Sequence, residues 1–585
     1  MSETAAQTTP ARIESPTRIT GAQAVAATLI ELGVDTVFGY PGGAIMPIYD
    51  ELYAREELRH ILVRHEQAAV HAAEGVARTT GQPAVCMATS GPGATNFITG
   101  LADALMDSTP VVCITGQVPS TLLGGDAFQE ADVVGMTLGC TKWNCQVADA
   151  DDIPLAIQTA FKVAQEGRPG PVLVDITKDA QIGTLLAEQV ELAGTAPALG
   201  DHYRAWQYAP RHEDLTGIGE AAAIINAAER PLMLVGQGVQ LAGAEQGVIK
   251  LAERAQIPMA STLLGLSAVP TDHPMYVGML GMHGNLAPNL LTNQADVIIA
   301  IGMRFDDRVT GRLDAYACDA KIIHIDIDPA EINKNVPATV GIVADAKAAV
   351  AELTMQIDKA EHGEWLARFK QHFEEEFDAV ILPELFPGDG AITMGEVVQA
   401  LSQQTDGNAI VCADVGQHQM HVARYYEFRQ PMSHVSSGGL GTMGFALPAA
   451  IGAAIANPDR HTVAIAGDGG FQMTLQELAT IMQERLPIKI IILNNGFLGM
   501  VRQWQELFFD RRYSQVHMEN PDFVQICKGF QVAAERIDAR EDLNDGLQRM
   551  LETNGPYLLE VMVGQEDNVF PMIPSGAAVD EIRLR

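Results

Sequence analysis

Two stretches of this chain, Thr462 to Ala466 (TVAIA) and Ile488 to Leu493 (IKIIIL), are almost unbroken apolar and β-branched runs. They lack the alternation of a sheet wetted on one face, so both faces are buried, which calls for a parallel sheet covered by helices. Phe471 to Glu484, between them, has helical spacing, so the region reads as strand, tight turn, helix and strand. The first strand runs into Gly467-Asp468-Gly469 and the second into Asn494-Asn495. Asp468 and Asn495 thus stand at the carboxyl ends of parallel strands, the edge where open α/β sheets place ligands. Their oxygens suit Mg²⁺, a hard ion usually held by one or two protein groups together with substrate phosphates. Gly469 and Gly470 let a phosphate approach the backbone, and the helix N-terminus favours its charge. The stretch reads as one magnesium-diphosphate site.

Three letters alone would not carry that reading, because Gly-Asp-Gly occurs again at 388–390. That copy follows Phe386-Pro387, has no strand before it and no Asn pair after it, and reads as a linker turn. Asn494-Asn495 is the only Asn pair in the chain.

A chain of 585 residues is too long for one core. Residues 1–18 are polar with two prolines, lack the apolar centre of a secretory signal, and are expected to be a disordered tail. A first unit, 19–185, carries strands at Thr36 to Phe38, Ile61 to Val63, Ala84 to Ala88, Val111 to Thr115 and Val172 to Ile176. Residues 186–215 lose periodicity and read as a linker. A second unit, 216–360, has strands at Leu232 to Val235, Val297 to Ile301 and Ile322 to Asp326. A charged helical connector, 361–391, leads to a third unit, 392–585, with strands at Ala409 to Ala413, the opening pair, and Tyr557 to Met562. From Asn568 the chain gathers Pro571, Pro574 and Gly576 and reads as an arm. The expected class is α/β, with three doubly wound parallel sheets in tandem.

A net charge of −35 argues against nucleic acid and anionic membrane surfaces as partners. No apolar run reaches the ~18 residues of a membrane helix. The seven cysteines form no CxxC pair and several fall in expected strands, the usage of a reducing, cytoplasmic compartment.

Glu66 follows the strand Ile61 to Val63 at the start of an alanine-rich helix. A zinc-protease reading of His65-Glu66 with His71 fails, because residues six apart point about 120° away from each other on a helix. On position alone, Glu66 either stabilises the helix N-terminus or does chemistry.

Gly467-Asp468-Gly469 with Asn494-Asn495, together with Arg64-His65-Glu66, resembles the thiamine diphosphate-dependent enzymes. More narrowly the chain resembles the catalytic subunits of acetolactate synthase (acetohydroxyacid synthase), over nearly its whole length. The segments that carry the likeness are Phe38 to Ala44, Thr89 to Asn96, Asp126 to Glu130, Gly302 to Arg308, Val415 to Met420, Gly438 to Gly444 and Met500 to Gln505. The resemblance implies a pyrimidine-binding first domain, a central FAD-binding domain and a diphosphate- and Mg²⁺-binding third domain. It implies that Glu66 activates the cofactor by a hydrogen bond to its pyrimidine N1′. Asp468, Asn495 and the Phe497 carbonyl would bind Mg²⁺. Gln417, His418, Gly441, Met443, Gly469, Gly470, Gly499 and Met500 would hold thiamine diphosphate, with Met443 wedged beneath it. Gly43, Phe128, Gln129 and Lys178 would face the reacting centre and the substrate channel, although a threonine, Thr177, stands before Lys178 where the family usually has proline. Trp504 and Met500 would contact the second 2-oxo acid. FAD would lie along Gly236, Gln237, Gly238, Met282, His283, Gly302, Arg304, Asp306, Arg308, Asp326, Ile327 and Asp345.

The implied reaction decarboxylates pyruvate and transfers the hydroxyethyl unit to a second pyruvate or to 2-oxobutyrate, in branched-chain amino acid synthesis. The implied assembly is a homodimer or homotetramer, with Glu66 and Asp468 drawn from different subunits and a small regulatory subunit as partner. The rival readings are a pyruvate-oxidase-like flavin oxidoreductase, which would consume oxygen or quinone, and glyoxylate carboligase, which lacks a carboxylate at the position of Glu66.

Overall fold

The computed structural model describes residues 17–191 and 214–585, so most of the expected tail and linker lie outside the described residues. Three six-stranded sheets, each parallel throughout, follow one another along the chain. The first unit contributes β1 (Arg18–Thr20), β2 (Thr36–Tyr40), β3 (Arg59–Leu62), β4 (Ala84–Ala88), β5 (Val111–Gln117), β6 (Trp143–Val147), β7 (Val172–Thr177) and β8 (Thr184–Leu186). Its sheet runs β3-β2-β4-β5-β7-β6, while β1 and β8 pair antiparallel where the unit begins and ends.

The middle unit holds β9 (Pro231–Val235), β10 (Met259–Ser261), β11 (Tyr276–Met279), β12 (Val297–Ile301), β13 (Lys321–Asp326) and β14 (Val340–Val343), in the order β11-β10-β9-β12-β13-β14. The third holds β15 (Ile410–Ala413), β16 (His434–Ser436), β17 (Thr462–Gly467), β18 (Lys489–Asn494), β19 (Ala533–Ile537) and β20 (Tyr557–Met562), in the order β16-β15-β17-β18-β20-β19. The opening pair, β17 and β18, lies in the middle of that sheet, buried as its composition requires.

The first and third units share one core. Helix Glu66–Thr80 crosses helix Ala446–Ala456 at a pair of glycines, and the crossing admits no larger residue. A Cβ on Gly75 would stand 2.0 Å from the Ala449 carbonyl oxygen, and one on Gly452 would stand 1.8 Å from that of Ala72. Val70, Ala73, Phe445, Ala449 and Phe471 pack together there, all buried. The helix expected from Phe471 to Glu484 starts earlier, at Asp468, and is interrupted. Asp468–Thr474 and Leu478–Glu484 are joined by a tighter turn at Leu475–Glu477.

The segment after Asn568 docks across two units. The Val569 N–H donates to Gln503 Oε1 (2.9 Å), the Ile573 N–H donates to the Met282 carbonyl (2.8 Å), and Ile573 and Val579 enter the core of the middle unit. No helix among the described residues is long and apolar enough to cross a membrane.

Candidate active site

Asp468 is 2% exposed and is the first residue of its helix, directly after β17. Its Oδ1 accepts the Gly469 N–H (3.0 Å), and its Oδ2 accepts the Gly496 N–H (3.0 Å) and Asn520 Nδ2 (2.6 Å). Burial pushes this carboxyl up from its ordinary value, while those donors pull it down. A cation beside it would offset the burial penalty on the charged form.

The two asparagines divide their work. Asn494, still in β18, donates to Glu560 Oε1 (2.8 Å) and accepts from Asn520 (3.0 Å), so it braces the sheet edge. Asn495 is free of the ladder, and its Oδ1 takes only the Phe497 N–H (3.1 Å). Asp468, Asn495 and Phe497 line one cavity of about 50 Å³ with Gln417, His418, Met443, Gly469, Gly470, Gly499 and Met500. Its glycines leave no space for a side chain, since a Cβ on Gly499 would fall 2.1 Å from Gln417 Oε1 and one on Gly470 would fall 3.0 Å from Asp414. An all-oxygen donor set beside a glycine-walled cradle and a helix N-terminus fits Mg²⁺ and a diphosphate.

His418 accepts the Gly467 N–H at Nε2 (3.2 Å), and burial holds its pKa down at about 3, so the ring is neutral and fixed. The Gln417 amide is committed elsewhere, donating to Gln503 Oε1 (2.9 Å) and the Asp567 carbonyl (2.7 Å).

A larger cleft of about 790 Å³ lies beside this cradle. Gln237, Gly238, Met282, His283, Gly302, Arg304, Asp306, Arg308, Asp326, Ile327 and Asp345 all line it. Gly441, Met443, Met500 and Trp504 line it from the third unit, as Gln165 and Arg168 do from the first. Gly236 does not reach it. A Cβ there would lie 2.0 Å from the Gly302 carbonyl oxygen, so its job is to let the ends of β9 and β12 approach. Gln237 Nε2 and His283 Nδ1 are buried without a hydrogen-bond partner, and burial raises the Asp326 carboxyl to about 7. Unsatisfied polar atoms around a long cleft at strand ends fit a dinucleotide. Asp345, by contrast, caps helix Ala346–Gln356, its carboxylate taking the Lys347 N–H at 2.9 Å.

The first unit gathers its own set around the turn after β4. Glu66 Oε2 accepts Asn96 Nδ2 (2.8 Å), and a Cβ on Gly93 would stand 3.3 Å from Glu66 Oε1. A Cβ on Gly91 would meet that of Gln129 at 2.9 Å. The Gly42-Gly43 turn is tied to the same place, with the Ala44 N–H donating to Thr89 Oγ1 (3.2 Å). Lys178 opens the helix after β7, whose Gln181 donates to the Ala44 carbonyl (2.9 Å). Glu130 accepts the Gly124 and Ala127 N–H groups (2.5 and 3.0 Å), folding a loop in which Asp126 and Gln129 take φ of +54° and +60°. Phe128 at its tip is 88% exposed. Glu66, Gly43, Phe128, Gln129 and Lys178 thus share one edge of the first sheet, and none of them lines the cleft or the cradle.

Sequence reasoning missed Asn520, which binds both Asp468 and Asn494 from a loop with no motif of its own. It also missed Asp414, whose carboxylate takes the Val415 and Gly444 N–H groups (2.7 and 2.9 Å) beneath Met443.

Residues 19–136, 218–353 and 414–561 match the families described as thiamine pyrophosphate enzyme N-terminal TPP binding domain, central domain and C-terminal TPP binding domain. The acetolactate synthase large subunit of Corynebacterium glutamicum is 44% identical over 99% of this chain and 93% of its own length. The acetolactate synthase isozyme 2 large subunit of Escherichia coli is 44% identical over 96% and 99%. Acetolactate synthase 3, chloroplastic, of Brassica napus is 43% identical over 96% and 86%. The chain belongs to the acetolactate synthase family of thiamine diphosphate-dependent enzymes.

Proposed function

We propose that this chain joins two 2-oxo acids with loss of CO₂, giving 2-acetolactate from two molecules of pyruvate and 2-aceto-2-hydroxybutyrate from pyruvate and 2-oxobutyrate, in branched-chain amino acid biosynthesis. The observation that carries the reading is the meeting of the Asp468–Asn495–Phe497 cradle with the cleft that holds Met443, Met500 and Trp504. Thiamine diphosphate, when bound, supplies the nucleophilic carbon and the electron sink that decarboxylation of a 2-oxo acid needs.

The chain's own residues do the rest. Asp468 and Asn495 would supply oxygens, and Phe497 a carbonyl, to Mg²⁺, whose charge would offset that of the diphosphate. His418, kept neutral, adds no charge to the cradle. Glu66, held by Asn96, presents a carboxylate to a pyrimidine nitrogen and stabilises its protonated form. Trp504 lies on the cleft wall, where its ring favours the acceptor with the longer alkyl chain. The middle-unit side of the large cleft, with Gln237, Gly238, His283, Gly302 and Asp326, would hold FAD, in a structural role.

Glu66 lines neither cavity of its own chain, which supports a homodimer, or a homotetramer built as a dimer of dimers, in which it serves the partner's cradle. A small regulatory subunit is a further partner, and the compartment is the cytoplasm.

Competition between pyruvate and 2-oxobutyrate, with both products quantified and each cofactor added or withheld, tests the reading. We expect both products, dependence on thiamine diphosphate and Mg²⁺, and no oxygen uptake. Trp504→Leu should lower the preference for 2-oxobutyrate by roughly tenfold or more. Pyruvate consumption coupled to oxygen or quinone would overturn the assignment.

A further inference from the structure

The glycine-rich segment Ser437 to Gly444 follows β16 of the third unit, and its Gly438, Gly439 and Gly444 N–H groups are held by acids with no place in the chemistry above. Asp107 caps helix Ile98–Met106 of the first unit. Its Oδ2 accepts the Gly438 N–H (2.8 Å) and its Oδ1 accepts the Gly439 N–H (2.7 Å). One turn earlier, Asp103 Oδ1 accepts the Ser437 hydroxyl (2.6 Å), and Ser437 Oγ accepts the Thr442 N–H (2.8 Å). On the far side of Met443, Asp414 holds the Gly444 N–H. The backbone is therefore fixed immediately before and immediately after Met443.

These acids are buried for the purpose. Asp103, Asp107, Glu74, His71 and Ser437 are each 0 or 1% exposed. Gln67 Nε2 lies 3.3 Å from His71 Nε2, which leaves His71 Nδ1 to donate to Glu74 Oε1 at 2.9 Å. Arg78 Nη1 reaches Asp107 Oδ2 and the Ser436 carbonyl, both at 3.4 Å. Burial, with Glu74 and Asp107 close by, pushes the Asp103 carboxyl well up. Glu74 Oε2 and Asp103 Oδ2 have no hydrogen-bond partner, His71 Nδ1 standing 3.8 Å from the latter, a cost the fold bears in burying these acids. Residues 438–441 and 443 in turn line the large cleft.

We propose that Asp103, through Ser437, and Asp107 are positioning residues for Met443, holding a segment of the third unit from a helix of the first so that the Met443 side chain keeps a fixed place in the cofactor cradle. The inference rests on the reading of Met443 as a cofactor contact. Three acceptor oxygens set by one helix and its cap, two of Asp107 and one of Asp103, fix the segment where four glycines would otherwise leave it soft. Displacement of a positioning group by about an ångström is enough to cost on the order of a hundredfold in rate.

The test compares the holoenzyme with Asp107→Asn, Ser437→Ala, Ser437→Thr and Met443→Ala, reading kcat, KM for pyruvate, thiamine diphosphate affinity, near-ultraviolet circular dichroism of the bound cofactor, and amide hydrogen exchange of residues 437–444. In Asp107→Asn one oxygen acceptor becomes an amide donor facing an N–H. We expect kcat to fall about ten- to a hundredfold with cofactor affinity nearly kept, altered dichroism and faster exchange in the segment. Ser437→Ala, which removes a single hydroxyl, should show a smaller version of the same pattern, and Ser437→Thr should recover most of the loss. Slow exchange and unchanged kcat in both Asp107→Asn and Ser437→Ala would overturn the proposal, as would faster exchange with unchanged kcat. If Asp107→Asn does not fold, Ser437→Ala against Ser437→Thr decides alone. Full activity in Met443→Ala would instead sink the reading of Met443, and is distinguished from failure of the clamp by being seen in that variant itself.

Discussion

The cradle in the third unit and the Glu66 edge of the first are both built at the carboxyl ends of parallel strands, yet one is finished and the other open. Around Asp468 and Asn495 the donors are paired, the glycines are packed against their neighbours, and Asp468, Asn495, Gln417 and His418 are buried. Around Glu66 the loops are equally well tied, by Thr89 and Glu130, and Asn96 holds the carboxylate, but Glu66 is only half-buried and Phe128 stands almost bare. Rigid scaffolding beneath an exposed chemical edge is what a surface meant to be covered by another looks like. On the proposed function, anchoring the cofactor would be the work of one unit, and activating it would belong to a surface that meets that unit on assembly.

The largest expected contrast is between the two carboxylates. Glu66→Gln should lower kcat by roughly 10²- to 10⁴-fold while leaving thiamine diphosphate bound, as measured by steady-state kinetics beside cofactor titration. Asp468→Ala should behave the other way, raising the Mg²⁺ needed for half-maximal activity by about tenfold or more, because a buried ligand is gone. Cofactor loss in Glu66→Gln, or unchanged Mg²⁺ dependence in Asp468→Ala, would erase the division of labour between the two edges.

A smaller contrast concerns acid. His434, on β16 of the finished unit, is buried with both ring nitrogens unpartnered, and burial together with Arg78 holds its pKa at about 3 against an ordinary 6.5. Between those values the unfolded chain binds a proton that the fold refuses. Stability is therefore undiminished above pH 6.5 and falls, by about 1.4 kcal/mol per pH unit for this group, as pH drops towards 3. Denaturant unfolding of His434→Leu between pH 6.5 and 5 should show a shallower slope by that amount, and an unchanged slope would show the ring to be protonated in the fold.

Much of this was legible in the sequence, for a reason visible in the sheets. Central strands such as β4, β12 and β20 are buried on both faces, so their residues form uninterrupted apolar runs and were bounded correctly. The strands that escaped notice, β6, β10, β11, β14, β16 and β19, lie at or next to sheet edges. Those edges are short or half-wetted, as Ala533–Ile537 with Glu535 and Arg536 illustrates, and neighbours rather than composition make them strands. The different settings of the two Gly-Asp-Gly copies were readable too, the one at 467 ending a central strand and the one at 388 having glycines at φ +78° and +83° that turn in open space. Asn520 and Asp414 were not, because a lone polar residue in a loop or after a strand gains its meaning only from what folds against it. Gly236 adds a role that its motif did not announce, since the absence of a side chain there lets two backbones approach closely.

The claim at the centre of the account is that Glu66 and Asp468 of different chains complete one active centre. Co-expression of Glu66→Gln with Asp468→Ala, assayed at a Mg²⁺ concentration low enough that each is severely impaired alone, tests it directly. In a mixed dimer one centre carries both defects and the other carries neither, so activity should return in the purified mixed species. A mixed dimer that forms, as shown by two different affinity tags, and remains inactive would contradict the account.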